Sequence, residues 1–268
     1  MKKLIAVVAV LMAASGGDAR AADVGHTVKR LVVAGSAQGE PRQVDVQLWY
    51  PSANVAGRPL SVYTSALFGR PLPAPYTPLA WTVQAELARE GAPIDPQGKP
   101  LPVIVFSHGS VNDPIDYAPT LERIAAAGFV VAAPSHVNNT QDDVRIDFAN
   151  SRANAQIACN DARPGLCSRP EVAFSMADRV HDLSSVLDAL PGWFGDRVDM
   201  TRVGALGHSR GSASVLAAAG GSDARVAGDA NCQPSGLTCW PLAPEPRIRA
   251  VMGMAIAAMP IAQHIDFA

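Results

Sequence analysis

Charged and aromatic residues are scarce in this sequence. Asp, Glu, Lys and Arg make up 17% of the 268 residues, aromatic residues make up 6%, and the formal net charge is only −2. Because no basic stripe is present, the sequence predicts no binding to nucleic acid or to anionic membrane surfaces. It also lacks an apolar run of the roughly 20 residues that a membrane-spanning helix needs, so we expect no stable membrane span. The 48% of hydrophobic residues indicates a globular domain.

The amino terminus carries the three parts of a secretory signal in order. Two lysines follow the initial methionine, residues 4–14 form a short apolar run, and Ala19-Arg20-Ala21 supplies the small residues of a cleavage site. A buried N-terminal helix is the less favoured alternative. We expect residues 1–21 to be a signal peptide of the bacterial type and the protein to be secreted or periplasmic. Residues 22–268 are then expected to form one α/β domain.

The chain contains only four cysteines. Cys159 and Cys167 lie in one polar stretch, and Cys232 and Cys239 lie in another. In an oxidising compartment, the simplest of the three possible pairings is two local disulfides, Cys159–Cys167 and Cys232–Cys239. A zinc site is less favoured, because CxxC spacing and nearby histidines are missing. We expect neither a metal nor a cofactor.

Apolar strand patterns alternate with helix patterns along the rest of the chain. The predicted strands cover residues 27–33, 43–50, 102–106, 129–133, 202–206 and 249–254. Helices are predicted after Pro119, from Ser175 to about Leu190 and over 212–219, and a Pro-rich passage at 53–100 contains one more, at about 80–90. We expect that passage to pack over one edge of the sheet or over the ligand site. The alternation predicts an α/β fold with a mostly parallel central sheet and helices on both faces, and ligands of such sheets bind at the carboxyl ends of the strands.

The pentapeptide Gly207-His-Ser-Arg-Gly211 directly follows an apolar strand and runs straight into a helix. This context is typical of a nucleophile elbow, in which a serine on a strained turn exposes its hydroxyl above the sheet. We expect the two glycines to be required because a Cβ atom there would collide with the neighbouring helix and strand. Ser209 is therefore the predicted nucleophile.

A second motif, Phe106-Ser-His-Gly-Ser110, follows the first deeply buried strand. Acyl transfer needs two backbone N–H groups directed at the developing oxyanion, and the candidates are the amides of Ser110 and Arg210. We expect the side chain of His108 to hold this loop by hydrogen bonds rather than to act as the base. His208 is expected to point into the fold.

Five segments lie in an order that is typical of one enzyme superfamily: Leu48-Trp-Tyr-Pro-Ser52, Val105-Phe-Ser-His-Gly109, Gly128-Phe-Val-Val-Ala-Ala-Pro134, Arg197-Val-Asp-Met-Thr-Arg-Val203 and Gly207-His-Ser-Arg-Gly211. Together they run from about residue 40 to about residue 258. The chain resembles the dienelactone-hydrolase-like and platelet-activating-factor acetylhydrolase-like branch of the α/β-hydrolases. The resemblance implies an α/β-hydrolase fold and hydrolysis of carboxylic esters, with short-acyl or lipid esters as small-molecule substrates.

The remainder of a catalytic triad is harder to place. In this fold the serine is followed along the chain by an acid and then by a histidine, and His264 is the only histidine after Ser209. In one interpretation the chain ends before the two strands that carry the acid and the base. It would then be a truncated, impaired protein that at most binds an acyl ligand, with an exposed sheet edge prone to self-association. In the other, His264 is the base and Asp229 or Asp223 the acid.

Overall fold

The structure is a computed structural model that describes residues 23–34, 41–64, 82–110, 112–137, 140, 176–220, 222–223, 244–255 and 265–266. The predicted signal peptide, the four cysteines, His264 and Asp229 lie outside the described residues. Within these ranges, no helix combines the length and apolar character needed to cross a membrane.

The described residues form strands and helices in an alternating order. The strands are β1 (Asp23–Val33), β2 (Arg42–Ser52), β3 (Leu60–Thr64), β4 (Thr82–Glu90), β5 (Leu101–Ser107), β6 (Val130–Pro134), β7 (Val198–His208), β8 (Ser222–Asp223), β9 (Ile248–Met254) and β10 (Ile265–Asp266). The helices are α1 (Ala118–Ala126), α2 (Met176–Phe194) and α3 (Arg210–Ala218), with short 3₁₀ helices at Pro114–Tyr117 and Gly195–Arg197. Every strand predicted from the sequence is present, in several cases as part of a longer strand.

Eight of these strands form one mixed sheet in the order β3-β4-β1-β2-β6-β5-β7-β9. The strands β6, β5, β7 and β9 are parallel to one another, whereas β2 is antiparallel to both β1 and β6. The two short strands β8 and β10 pair with each other. The parallel part of the sheet therefore brings the carboxyl ends of β5, β6, β7 and β9 to one edge.

Helices cover both faces of the sheet, as predicted. Leu121 and Ala125 of α1 pack in the same buried cluster as Trp49 and Phe106. On the opposite face, the buried side chains of α2 and α3 pack against those of β2, β5 and β7, which include Val103. Because neighbouring residues of a strand point to opposite faces, Val105 and Phe106 belong to different clusters.

The helix signals in the sequence mark the ends of α1. Pro119 lies in its first turn, where its missing N–H group is harmless. Gly128 lies just beyond its end with a φ of 99°, a backbone conformation that glycine adopts without steric cost. The predicted apolar face of α2 is also confirmed, since Val180, Leu183 and Leu187 are all buried.

The helix predicted at residues 80–90 is wrong, because its described part, Thr82–Glu90, forms strand β4. Alanine, glutamate and leucine favour helix locally, but β4 pairs with β1 on one side and β3 on the other. This pairing overrides propensity, which is a weak prior when tertiary contacts are available. The described part of the Pro-rich passage therefore extends one edge of the sheet.

An irregularity in β4 forms a site for a buried carboxylate. The register against β3 shifts between Leu60 and Val62, so the middle of β4 departs from regular pairing. There the backbone N–H groups of Glu86, Leu87 and Ala88 all donate to the carboxylate of Glu122 on α1. Because each of these three N–H groups donates to the carboxylate, the irregular pairing of β4 leaves none of them unsatisfied.

Candidate active site

Ser209 lies between the end of β7 and the first residue of α3. Its backbone has a φ of 52° and a ψ of −118°, and the residue is partly exposed. Among the described non-glycine residues, only Ala255 shares a positive φ. Such a conformation costs about 1–3 kcal/mol and persists where the surroundings enforce it, commonly at functional sites.

The two glycines of the turn are required by close packing. A Cβ atom on Gly207 would lie 2.6 Å from the Ser212 nitrogen. A Cβ atom on Gly211 would lie 2.7 Å from the His108 carbonyl oxygen and closer still to that of Ser107. Real Cβ atoms do not approach backbone so closely, so the prediction of obligatory glycines is confirmed. Gly211 thereby allows α3 to touch the loop after β5.

The end of β9 holds the turn from the other side. The carbonyl oxygen of Met254 accepts a hydrogen bond from the Ser209 N–H group at 2.9 Å and another from the Ser212 hydroxyl at 2.8 Å. The same hydroxyl lies 2.8 Å from the Gly207 carbonyl oxygen. The backbone of Ser209 is therefore bonded to the neighbouring strand.

The loop after β5, residues 108–110, lies directly against the turn and carries the predicted oxyanion residue Ser110. We call it the oxyanion loop. Arg210 Nε donates to Ser110 Oγ at 2.8 Å, so the structure brings together the two residues whose amides are the candidate donors. In the described part of the chain, the Ser110 N–H group makes no hydrogen bond.

His208 differs from the prediction. Its ring is partly exposed and lies against Tyr117, with 2.8 Å between His208 Nδ1 and the tyrosine hydroxyl. That hydroxyl also accepts from the Gly109 N–H group at 3.3 Å. His208 therefore lies beside the oxyanion loop rather than in the core.

His108 holds the oxyanion loop, as predicted. Its Nε2 atom accepts from the His136 backbone N–H group at 3.0 Å, so the proton must be on Nδ1, which lies 2.7 Å from the Gly109 carbonyl oxygen. The ring is fully buried. Burial, together with the charge of Arg179 and the nearby His136, holds the pKa of His108 well below its usual value. The ring is therefore neutral and fully bonded, which excludes it as a general base.

A buried polar cluster, which sequence reasoning missed, lies beneath the oxyanion loop. Ser107 Oγ lies 2.9 Å from His136 Nε2, and His136 Nδ1 lies 2.8 Å from Asp182 Oδ2. These contacts follow the order of a catalytic Ser-His-Asp triad, but all three side chains are buried. Ser107 is therefore closed to substrate.

Electrostatics fix the protonation within this cluster. Burial, reinforced by Arg179 and Arg42, holds the pKa of His136 well below its usual value. Burial raises the pKa of Asp182 to about 7, against the attraction of Arg42, whose NH1 atom lies 2.8 Å from Asp182 Oδ1. The imidazole is therefore neutral. We interpret the cluster as support for the loop above it.

A signal for this cluster was present in α2. Arg179 and Asp182 are three residues apart, and with Val186 and Leu190 they form a stripe of buried positions at helical spacing. Charged residues on such a stripe need partners, because an unpaired charge is costly to bury. The partners come from strand ends some 40 to 140 residues away along the chain, at Arg42, Ser107 and His136.

Of the predicted base and acids, the structure describes only the backbone of Asp223. Asp223 lies in β8, opposite Ile265 of β10. Among the described residues, no group of three or more histidine, cysteine, aspartate or glutamate side chains could hold a metal ion.

The chain matches a known family over part of its length. Residues 36–148, which include β2, β5, α1 and β6, match the family model of platelet-activating factor acetylhydrolase, isoform II. The chain has the α/β-hydrolase fold. The resemblance noted from the sequence motifs is thereby confirmed. No curated protein matches the sequence of this chain.

Several solved structures are similar to this chain. A ferulic acid esterase from Streptomyces cinnamoneus is 25% identical, with a TM-score of 0.49, and the match covers 75% of this chain and 56% of the esterase. A bacterial heroin esterase is 15% identical, with a TM-score of 0.35 and coverage of 72% and 38%. A Klebsiella pneumoniae structure assigned as a dienelactone hydrolase is 14% identical, with a TM-score of 0.33 and coverage of 70% and 51%. The chain thus spans between 38% and 56% of the length of these proteins.

Proposed function

We propose that this α/β-hydrolase is a serine carboxylic-ester hydrolase that acts through an acyl-enzyme on Ser209. The observation that carries the proposal is the positive φ of Ser209, in a turn whose two glycines leave no room for side chains. Such a turn presents a nucleophilic hydroxyl at the carboxyl edge of the sheet. The match to the acetylhydrolase family supports ester hydrolysis over other reactions of the fold.

The proposed reaction has two steps. Ser209 Oγ adds to the carbonyl carbon of the ester while its proton passes to a base, and the carbonyl oxygen becomes an oxyanion. The N–H groups of Ser110 and Arg210 donate to that oxyanion, each contributing on the order of 3 kcal/mol. Collapse breaks the C–O bond to the leaving alkoxide, which takes the proton from the base and departs as the alcohol. Water then attacks the acyl-enzyme in the same way and releases the carboxylic acid.

We propose His264 as the base, with Asp229 as its acid and Asp223 as the second candidate. The chain order of serine, acid and histidine agrees with the order in this fold. The pairing of Asp223 with Ile265 supports the second candidate, since Ile265 directly follows His264 in the sequence.

The proposed substrates are small-molecule esters with short acyl chains, or lipid esters, met outside the cytoplasm after removal of residues 1–21. The family supports the ester class, and the three-part amino-terminal signal supports export. The chemistry proposed for Ser209 requires no cofactor.

Covalent labelling tests the proposal. A fluorophosphonate probe should label wild-type protein at Ser209, located by peptide mass spectrometry, and p-nitrophenyl acetate should be hydrolysed. Ser209→Ala should abolish both. Ser185→Ala, which removes a partly exposed serine of α2, is the matched control and should leave both unchanged. Full turnover by Ser209→Ala, or labelling at Ser107 instead, would contradict the assignment.

A further inference from the structure

The side chain of Arg179 lies beneath the oxyanion loop and bonds to its backbone. Arg179 NH1 donates to the His108 carbonyl oxygen at 2.7 Å and to Ser107 Oγ at 3.2 Å, and Arg179 NH2 donates to the Gly109 carbonyl oxygen at 3.3 Å. Arg179 is only 1% exposed. One planar guanidinium therefore bridges two consecutive carbonyl groups of the loop.

The direction of these carbonyl groups determines the direction of the amides that follow them. In a trans peptide the C=O and N–H groups point in opposite directions. The Gly109 carbonyl group points inward, to Arg179 and to His108 Nδ1, so the Ser110 N–H group of the same peptide unit points outward. The oxyanion donor proposed for Ser110 therefore depends on what holds the Gly109 carbonyl group.

A charge at this position strengthens the hold on the loop. Hydrogen bonds in which the donor is charged are about twice as strong as neutral ones. Burial lowers the pKa of Arg179 to about 9, so the guanidinium remains protonated at neutral pH. Arg179 is linked to Asp182 through Ser107 and His136, so its charge is not isolated in the core.

We propose that Arg179 is a positioning residue that holds the Gly109 peptide in the orientation that directs the Ser110 N–H group at the oxyanion of the Ser209 reaction. The proposal rests on the function proposed above. Arg179 does not contact the reacting atoms. It acts through the Gly109 carbonyl group, and Ser107, His136 and Asp182 hold Arg179 in turn.

Arg42 provides a matched control. Arg42 is also a buried arginine, and it pairs with the same carboxylate, Asp182. The described contacts of Arg42 do not include the oxyanion loop. Replacing either arginine by lysine keeps the positive charge but removes the planar guanidinium. Comparing the two lysine variants therefore separates an effect on the oxyanion loop from a general effect on the buried cluster.

The test compares Arg179→Lys, Arg179→Gln and Arg42→Lys in the full chain. The measurements are kcat and KM for p-nitrophenyl acetate, the rate of fluorophosphonate labelling, and urea unfolding. We expect Arg179→Gln to lower kcat and the labelling rate about 10- to 100-fold with KM within about threefold, since removing one oxyanion donor costs about 10²- to 10³-fold in kcat. The kcat and labelling rate of Arg179→Lys should lie between those of wild type and Arg179→Gln, because an ammonium group bridges the two carbonyl groups less well than a guanidinium group does. Arg42→Lys should change kcat by about twofold or less.

Three outcomes would overturn the proposal. The first is a wild-type kcat in Arg179→Gln. If that variant does not fold, a wild-type kcat in Arg179→Lys counts instead. The second is an equal loss of kcat in Arg42→Lys and Arg179→Lys at matched stability, which would indicate a general structural role. In both cases labelling of wild-type Ser209 leaves the proposed function intact. The third is a folded wild-type chain that does not label, which overturns the proposed function and, with it, this inference.

Discussion

Replacing Gly211 by alanine should separate the nucleophile turn from the oxyanion loop. The added Cβ atom would lie 2.7 Å from the His108 carbonyl oxygen and nearer to that of Ser107, where ordinary contacts require more than 3 Å. The first turn of α3 must therefore withdraw from β5 by roughly 1 Å, since a packed interior absorbs such a change only by moving backbone.

The expected effect on activity is larger than the effect on stability. A misplacement of about 1 Å between reacting groups costs on the order of 10²-fold in rate, whereas overpacking by one methyl group typically costs about 1–3 kcal/mol. The assay is the rate of fluorophosphonate labelling at Ser209, measured beside urea unfolding of the same protein. Gly211→Ala should remain folded under labelling conditions and label about 100-fold more slowly.

Gly192→Ala is the control for this experiment. Gly192 lies in α2, and a Cβ atom there would meet no atom within 4 Å. This variant should label at the wild-type rate and be about as stable as wild type or more stable by up to about 1 kcal/mol, because alanine restricts the unfolded chain. A Gly211→Ala protein with the wild-type labelling rate would refute the close packing on which the site is built.

Further predictions concern stability, pH and association. Tyr63→Phe removes a hydroxyl that accepts from Trp49 Nε1 at 2.9 Å and donates to Glu122 at 2.8 Å, so urea unfolding should show a loss of about 1–3 kcal/mol. Burial lowers the pKa of His26 from 6.5 to about 4, so its contribution to the free energy of unfolding is present above pH 6.5 and is lost as the pH falls towards 4, by about 3 kcal/mol. Wild-type protein should therefore lose more stability over that range than His26→Gln, and equal slopes would contradict this. Self-association through an exposed sheet edge stays a prediction. The described residue chosen to test it is Met252 of β9, because it is a large hydrophobic residue that is 46% exposed. Sizing should show less association for Met252→Lys, and a monomeric wild type would oppose the idea.

The sequence predicted those parts of the fold that depend on local patterns. The apolar run before Gly207 and the glycine after Ser209 predicted β7, the turn and α3, because the signature of an apolar strand, a Gly-x-Ser-x-Gly turn and a helix lies within one continuous segment of the sequence. Gly128 marked the end of α1 for the same reason, since a positive φ is a local requirement.

The parts that depend on distant partners were not predictable in the same way. Strand β4 was predicted as a helix because its composition favours helix, and only its pairing with β1 and β3 makes it a strand. The role of Arg179 was missed because the carbonyl groups that it bonds lie some 70 residues earlier in the chain. A single sequence indicates that a charged residue lies on the buried face of a helix. It does not indicate which backbone atoms that residue will bond.

The hydrogen bond from the Ser209 N–H group to the Met254 carbonyl oxygen makes the conformation of the serine depend on a strand at the end of the sheet. In the described sheet β9 is outermost, and outer elements open at lower free energy than the centre of a fold. Detachment of β9 from β7 would release the Ser209 amide and let the strained backbone relax, leaving the hydroxyl chemically intact but wrongly aimed. Mild heating should thus inactivate the protein reversibly while its helices persist, a loss of function that begins at the rim of the sheet rather than at the serine itself.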